Sequence, residues 1–325
     1  MTAAPMLSIV ATLYRSEAYI EEFIARVSVC ARETGLPYEI VLVNDGCPGQ
    51  SLAIATEALA NFSHLKLVDL SRNFGHHPAM LAGLAESSGQ YIYLTNIDLE
   101  EQPENLRDLW RVFRERETAG VDVIYGTENS RQGSFVKRVL GGSFYPIFNF
   151  LSNVRLPKGQ IVSRVMSRRY VDALLSFEER DVFLPALWEL AGFVQEPLPV
   201  GRINHGRSTY SLGKRLALAV RAITSFSSKP LELVFYMGLC ISLLSLVVIV
   251  TLVAKKLFFG GVLSGFTSII VSLFFLNGLV IFSIGIIGIY LSRLYLEAKA
   301  RPRHIVRSIR ASAEKPQLKQ ISREG

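Results

Sequence analysis

Asn96-Ile97-Asp98-Leu99-Glu100 places acidic side chains directly after an apolar run, Tyr91 to Thr95, that reads as a buried strand. In open α/β sheets ligands sit outside the carboxyl ends of the strands. Two or three oxygen ligands on one short turn there suit Mg2+ or Mn2+ carrying a substrate diphosphate. The same acids would also favour the start of a helix after Pro103, where carboxylates complement the helix dipole, so the turn alone leaves both readings open. A second run ends in Asn44-Asp45-Gly46. Its acid either accepts hydrogen bonds from a ribose or base edge or belongs to a plain Asp-Gly turn. The first run leads into Tyr14-Arg15-Ser16-Glu17, with no glycine-rich dinucleotide turn and no Walker lysine loop. Phosphates must then be neutralised by a metal at Asp98 and by arginines such as Arg72.

The elements that would hold these residues alternate regularly. Leu7 to Leu13, Tyr38 to Val43, Leu65 to Leu70, Tyr91 to Thr95 and Val121 to Tyr125 are short and rich in Val, Ile, Leu and Tyr, and read as strands. Between them lie helical patterns over Glu17 to Thr34, Ser51 to Ala60, Pro78 to Ser87 and Pro103 to Ala119, three of them ended by Gly35, Gly89 and Gly120. This alternation predicts a mostly parallel sheet covered on both faces. His76 and His77 fall at the start of a helix, where a structural role is the simpler reading.

Past residue 230 the composition changes. Leu233 to Ala254 and Phe266 to Leu291 are uncharged and long enough to cross a hydrocarbon core of roughly 30 Å. A single mid-span Lys or Asp would cost roughly 2.5–3.5 kcal/mol on insertion scales, so both are expected to be transmembrane helices. Asn277 in the second reads as a helix-helix hydrogen-bonding group, and Gly278, Gly285 and Gly288 would permit close helix packing and hence a homo-oligomer. Lys214, Arg215, Arg221 and Lys229 precede the first span, and Arg293, Lys299, Arg301, Arg303 and Arg307 follow the second. Both termini are therefore expected to be cytoplasmic. No signal peptide is expected, because Met1 to Pro5 carries no basic residue.

The net charge is +7, but the basic residues gather beside the spans rather than among exposed aromatics. That points to anionic lipid and away from nucleic acid. Ser211 to Ser228 mixes apolar residues with Lys214, Arg215 and Arg221, as an amphipathic helix on a membrane surface would. Cys30, Cys47 and Cys240 are too few and scattered for a disulfide framework or a zinc site. The expected organisation is a cytosolic domain over 1–210, an amphipathic region over 211–230, a transmembrane hairpin over 231–292 and a basic tail over 293–325. The stretch from Pro302 to Gly325 is expected to be poorly ordered.

Taken together, these segments resemble the polyprenyl-phosphate glycosyltransferases of glycosyltransferase family 2. That group has the GT-A fold and includes dolichol-phosphate mannose synthases and bactoprenol glucosyltransferases. The resemblance rests on Val41 to Cys47, Leu70 to His76, Ala82-Gly83-Leu84, Asn96 to Pro103, Lys137-Arg138, Arg164 to Arg169, His205 to Tyr210, Ile223 to Ser227 and Gly288 to Pro302. It implies an α/β GT-A domain, a nucleotide-sugar donor (a UDP-sugar before a GDP-sugar), a polyprenyl-phosphate acceptor and a divalent ion.

By that resemblance Asp98 would bind the metal, joined by Glu100. Thr12, Tyr14, Asp45, Arg72 and Asn96 would surround the nucleotide sugar, with Tyr14 and Asp45 flanking the nucleoside. Arg138 would act at the phosphates, and Arg207, Ser208 and Lys214 would lie near the acceptor phosphate. Asn44 and Asn96 stand where acids are common in the family, Thr12 where proline is usual, and Glu128 where many members have arginine. The chemistry needs no general base. A lipid monophosphate, with a second pKa of about 6, is already ionised and nucleophilic, and its direct attack inverts the anomeric carbon. Two other readings remain at this level. One is a degenerate sugar-nucleotide-binding scaffold, motivated by Asn44, Asn96 and Glu128. The other is a glycan-extruding synthase, for which two spans offer too little membrane protein.

Overall fold

The computed structural model describes residues 5–128, 149–150, 154–180, 182–201, 203, 227, 229–259 and 265–312. These fall into two compact units. One is drawn from Met1–Val139, Leu156–Thr209 and Arg301–Gly325, the other from Leu140–Arg155 and Tyr210–Ala300.

In the first unit β1 (Leu7–Leu13), β2 (Tyr38–Asn44), β3 (Leu65–Leu70) and β4 (Tyr91–Leu94) form a parallel core. They alternate with α1 (Ile20–Glu33), α2 (Ser51–Asn61), α3 (His76–Glu86) and α4 (Asn105–Glu117). Every residue of β1 is buried, as expected of a central parallel strand covered on both faces. On one face Leu7, Ile9, Ala11 and Leu13 join Phe23, Ile24, Val27, Leu106, Leu109 and Phe113 in the main core. Their spacing along α1 and α4 is the i, i+3, i+4 stripe of an amphipathic helix. On the other face α3 lies against β1 and β2 without clearance: a Cβ on Gly83 would come within 2.5 Å of Val10 Cγ1 and 2.8 Å of Val43 Cγ2. That contact fixes where α3 begins, and therefore where His76 sits.

The sheet continues with β5 (Val123–Glu128), β6 (Gln160–Ser167), α5 (Arg168–Ser176), α6 (Leu184–Leu190) and β7 (Gln195–Val200). Its strand order is β7-β5-β6-β4-β1-β2-β3-β8, with β6 antiparallel to both β4 and β5 and β7 parallel to β5. The last strand, β8 (Val306–Ala311), pairs antiparallel with β3. The sequence reading expected Pro302 to Gly325 to be poorly ordered, and for residues 306–311 that is corrected. The sequence VRSIRA has no apolar alternation of its own, and it is the open edge of β3 that supplies the strand's partner.

The second unit holds two long helices, α7 (Lys229–Phe259) and α8 (Phe266–Ala298). Among the described residues one segment, Phe275–Ala298, with a mean hydropathy of 2.0, is long and apolar enough to cross a membrane. Two long helices are present, and among the described residues one of the two expected spans meets that test. Asn277 donates from Nδ2 to the Leu273 carbonyl of its own helix at 2.9 Å. A Cβ at Gly278, Gly285 or Gly288 would meet nothing within 4 Å. The expected amphipathic helix over 211–230 lies outside the described residues save for 227, 229 and 230.

Candidate active site at the carboxyl ends of the parallel strands

Thr12, Asn44, Asp45 and Asn96 all lie at the carboxyl end of β1, β2 or β4. There the chain order turns outward on either side of β1, which is where open α/β sheets bind ligands. The acidic turn is tightly built. Asp98 Oδ1 accepts from the backbone N–H of Glu100 at 3.1 Å, and Leu99 between them takes a left-handed φ of +57° while its side chain is buried. For a bulky residue this conformation is strained and persists because the packed Leu99 side chain holds it. Ile203 donates its N–H to the Glu100 carbonyl at 2.9 Å, so residues after β7 brace the same turn. Asp98 and Glu100 both make further interactions.

Glu101 plays a different part. Only 2% exposed, it accepts at Oε1 from Val162 N–H (3.1 Å), and at Oε2 from Ser163 N–H (2.7 Å) and the Ser163 hydroxyl (2.6 Å). Asn96 Nδ2 also donates to Glu101 Oε1, at 3.2 Å. Glu101 therefore welds the acidic turn to β6, while Asp98 and Glu100 are the half-buried carboxylates of the turn itself. Among the described residues there is no cluster of three or more His, Cys, Asp and Glu side chains that would cage an ion. Two carboxylates on one turn still suit a hard divalent cation that takes its other ligands from water and substrate phosphate, the usual mode for Mg2+.

The residues standing where the family has acids have a visible reason. Asn44 Nδ2 donates to Asp69 Oδ1 at 2.8 Å, and Asp69 is only 4% exposed. Asn44 and Asn96 each give an amide proton to a buried carboxylate; an acid at either position would face a like charge. Thr12, in place of proline, brings Oγ1 within 3.0 Å of His76 Nδ1. His76 remains accessible although protein surrounds most of it, and this desolvation, with His77 nearby, holds its imidazole below the usual histidine range. His77 Nδ1 lies 3.2 Å from the Val182 carbonyl. Both histidines are thus tied to structure at the mouth of α3.

On the β2 side, Asp45 is buried and both its oxygens are used. Phe74 N–H donates to Oδ1 at 2.7 Å and Gly75 N–H to Oδ2 at 3.0 Å. Burial pushes its carboxyl up, opposed by those two amides and by the Arg72 charge. Gly46, at φ +54°, lets the loop pass Arg72 and Asn73 so closely that a Cβ would lie 2.3 Å from their backbone. Arg72 itself is exposed, with its guanidinium carbon 4.0 Å from the Phe74 ring centroid. Tyr14 is 46% exposed, beside Arg15 at φ +55°. Arg138, Arg207, Ser208 and Lys214 lie outside the described residues.

Sequence reasoning missed Ser163, Asp69 and Arg307, which hold the expected residues in place. Asp69 alone carried a local signal, an acid near the carboxyl end of a mostly apolar strand.

The glycosyl transferase family 2 profile matches residues 8–172. A Mycobacterium tuberculosis protein provisionally named a glycosyltransferase is 36% identical over 94% of this chain and 89% of its own length. An uncharacterised glycosyltransferase of Synechocystis is 33% identical over 92% and 94%. The bactoprenol glucosyl transferase of Shigella phage SfX is 28% identical over 93% and 99%. Among solved structures, a Pyrobaculum calidifontis mannosyltransferase in complex with GDP-Man and Mn2+ superposes with a TM-score of 0.48 at 13% identity, over 92% of this chain and 87% of that one. With its strand-end acids on a sheet of this topology and a profile match spanning β1 to α5, the chain belongs to glycosyltransferase family 2 and is a glycosyltransferase.

Proposed function

We propose that this protein is a membrane-anchored, divalent-metal-dependent enzyme that transfers a sugar from a nucleotide-sugar donor to a polyprenyl phosphate at the cytoplasmic face, with inversion. The observation that carries the reading is the Asp98-Leu99-Glu100 turn, strained and braced at the carboxyl end of β4. The near end-to-end similarity to bactoprenol glucosyl transferases supports the acceptor class.

In this reading Tyr14 and Asp45 flank the nucleoside, and Thr12, Arg72 and Asn96 complete the donor side, for a UDP-sugar or else a GDP-sugar. Asp98, with Glu100, would hold the Mg2+ or Mn2+, whose chemistry is charge neutralisation of the departing diphosphate. Arg138, Arg207, Ser208 and Lys214 receive the acceptor phosphate. That phosphate needs no base, since a second pKa of about 6 leaves it ionised in the cytosol. The protein's task is to align donor and acceptor and stabilise developing charge.

Chain topology supports the hairpin. The chain leaves the sheet before α7 and rejoins it at β8. A chain that starts and finishes on one side of a bilayer crosses it an even number of times, so the span in α8 calls for a second, and α7 has the length for it. The basic residues on both flanks of the helix pair support a cytoplasmic position for both ends. The degenerate-scaffold reading loses its ground at Asn44 and Asn96, whose amides have structural partners.

Full-length protein in lipid, given UDP- and GDP-sugars, undecaprenyl phosphate and Mg2+ or Mn2+, should release nucleotide diphosphate and form a lipid-phosphate sugar. Asp98→Ala should cut turnover by about a thousandfold or more, roughly 4 kcal/mol, with circular dichroism unchanged. Near-normal turnover by that folded variant would remove Asp98 from the site.

A further inference from the structure

The sheet edge at β3 is closed by a strand that arrives from beyond the last apolar helix, and its pairing is irregular. Ser308 pairs with Asp69 and Val306 with Leu70, so the register shifts at Arg307, which has no partner residue of its own across the ladder. Such a bulge re-aims the side chain of the extra residue. Here Arg307 turns onto the carboxyl end of β3: Nη2 donates to the Ser71 carbonyl at 2.6 Å, and Nη1 lies 3.4 Å from Asp69 Oδ2. Ser71 N–H in turn donates to the Ile305 carbonyl at 2.9 Å.

Those contacts lead directly into the loops beside the strand ends. Asp69 accepts from Asn44, whose own Oδ1 takes the Cys47 N–H at 3.4 Å. Ser71 is followed by Arg72, Asn73, Phe74 and Gly75. Asp45 holds this run through two amides, and Asn73 Nδ2 donates to the Asp45 carbonyl at 3.1 Å. Arg307 is therefore the third support, after Asp45 and the Gly46 close approach, for the loop that presents Arg72. It is the only one of the three contributed by the far end of the chain.

We propose that Arg307 is a positioning residue for donor binding: the strand following α8 holds the 71–75 loop in its donor-accepting form. This rests on the reading of Asp45 and Arg72 as donor-side residues. The chain beyond the membrane helices is then part of the donor site, and a catalytic domain cut before α7 lacks that support as well as its anchor.

The test uses full-length protein in nanodiscs, comparing wild type with Arg307→Ala, Arg307→Lys and, as a control on the same strand, Arg310→Ala. Amide hydrogen exchange over residues 71–75 is read by mass spectrometry, and kinetics are read with UDP-glucose as donor probe. Arg307→Ala should speed exchange at 71–75 and raise the donor KM by about tenfold while kcat changes by less than about twofold, the mark of lost ground-state binding. Arg307→Lys should recover part of both, and Arg310→Ala should alter neither. Unchanged exchange in Arg307→Ala, the same acceleration in Arg310→Ala, or a fall in kcat with KM intact would each overturn the proposal. If UDP-glucose is not turned over at all, the exchange arm still decides the loop's dependence on Arg307, and only the donor assignment fails.

Discussion

Two loops at the carboxyl end of the sheet carry the same device and are supported in opposite ways. At the centre, Asn96 gives its amide proton to Glu101, a buried carboxylate that also takes two backbone N–H groups and a hydroxyl from β6. Toward the edge, Asn44 gives its amide proton to Asp69, whose other contact is the exposed Arg307 of the edge strand. The central pair is locked by main chain and leaves Asp98 on a strained turn. The edge pair is held by one amide and one long side chain. Under the proposed function, a turn that holds a metal and a diphosphate in fixed register would gain from the first kind of support, whereas a loop that admits and releases a nucleotide can work with the second.

The largest expected effect tests that contrast. Glu101→Ala would strand several buried donors and should lower stability by about 3 kcal/mol or more. Asp69→Ala, which loses one buried amide bond and one exposed ion pair, should cost about 1–2 kcal/mol. Urea midpoints at constant m-value would measure both. Equal losses would remove the distinction between the two loops.

A smaller effect sharpens why amides stand where acids are common. Asn96→Asp places a second carboxylate beside Glu101, which raises the pKa of one of the pair. The folded variant then holds a proton that the unfolded chain releases, so its stability relative to wild type should fall as pH rises from about 4 to 7, by about 1–2 kcal/mol. Pairing it with Glu101→Gln should abolish that pH dependence. A flat difference across the range would show that the two side chains do not meet.

The smallest effect concerns His76, which sits between the two loops at the mouth of α3. Its imidazole titrates lower in the folded chain than in the unfolded one, chiefly through desolvation. The unfolded state therefore binds more protons as pH drops below about 6.5, and stability is lost in that direction. Because the ring stays accessible, the slope should be shallow, and His76→Gln should flatten it. A steeper fall in the variant would place the acid sensitivity elsewhere.

Much of this arrangement was legible in the residues. Strand and helix periods are local, so β1 to β4 and the helices α1 to α4 that follow them could be read within a few residues, with the acidic turn at the end of β4 and the apolar runs now seen in α7 and α8. The roles of Asn44 and Asn96 could not be. Each looked like a lost acid until the fold brought Asp69 and Glu101 beside it, one from a neighbouring strand and the other across a turn anchored to β6.

What the sequence alone determined is what depends on nearest neighbours along the chain: periodicity, punctuation by glycine and proline, and which side chains end each strand. Tertiary structure decided which strand lies beside which, that β6 runs against β4, and that a basic stretch expected to be loose closes the sheet. Arg307 meets Asp69 across 238 residues of chain. No local propensity encodes a contact of that separation. It exists because the unpaired edge of β3 leaves backbone groups that only a strand from elsewhere can satisfy.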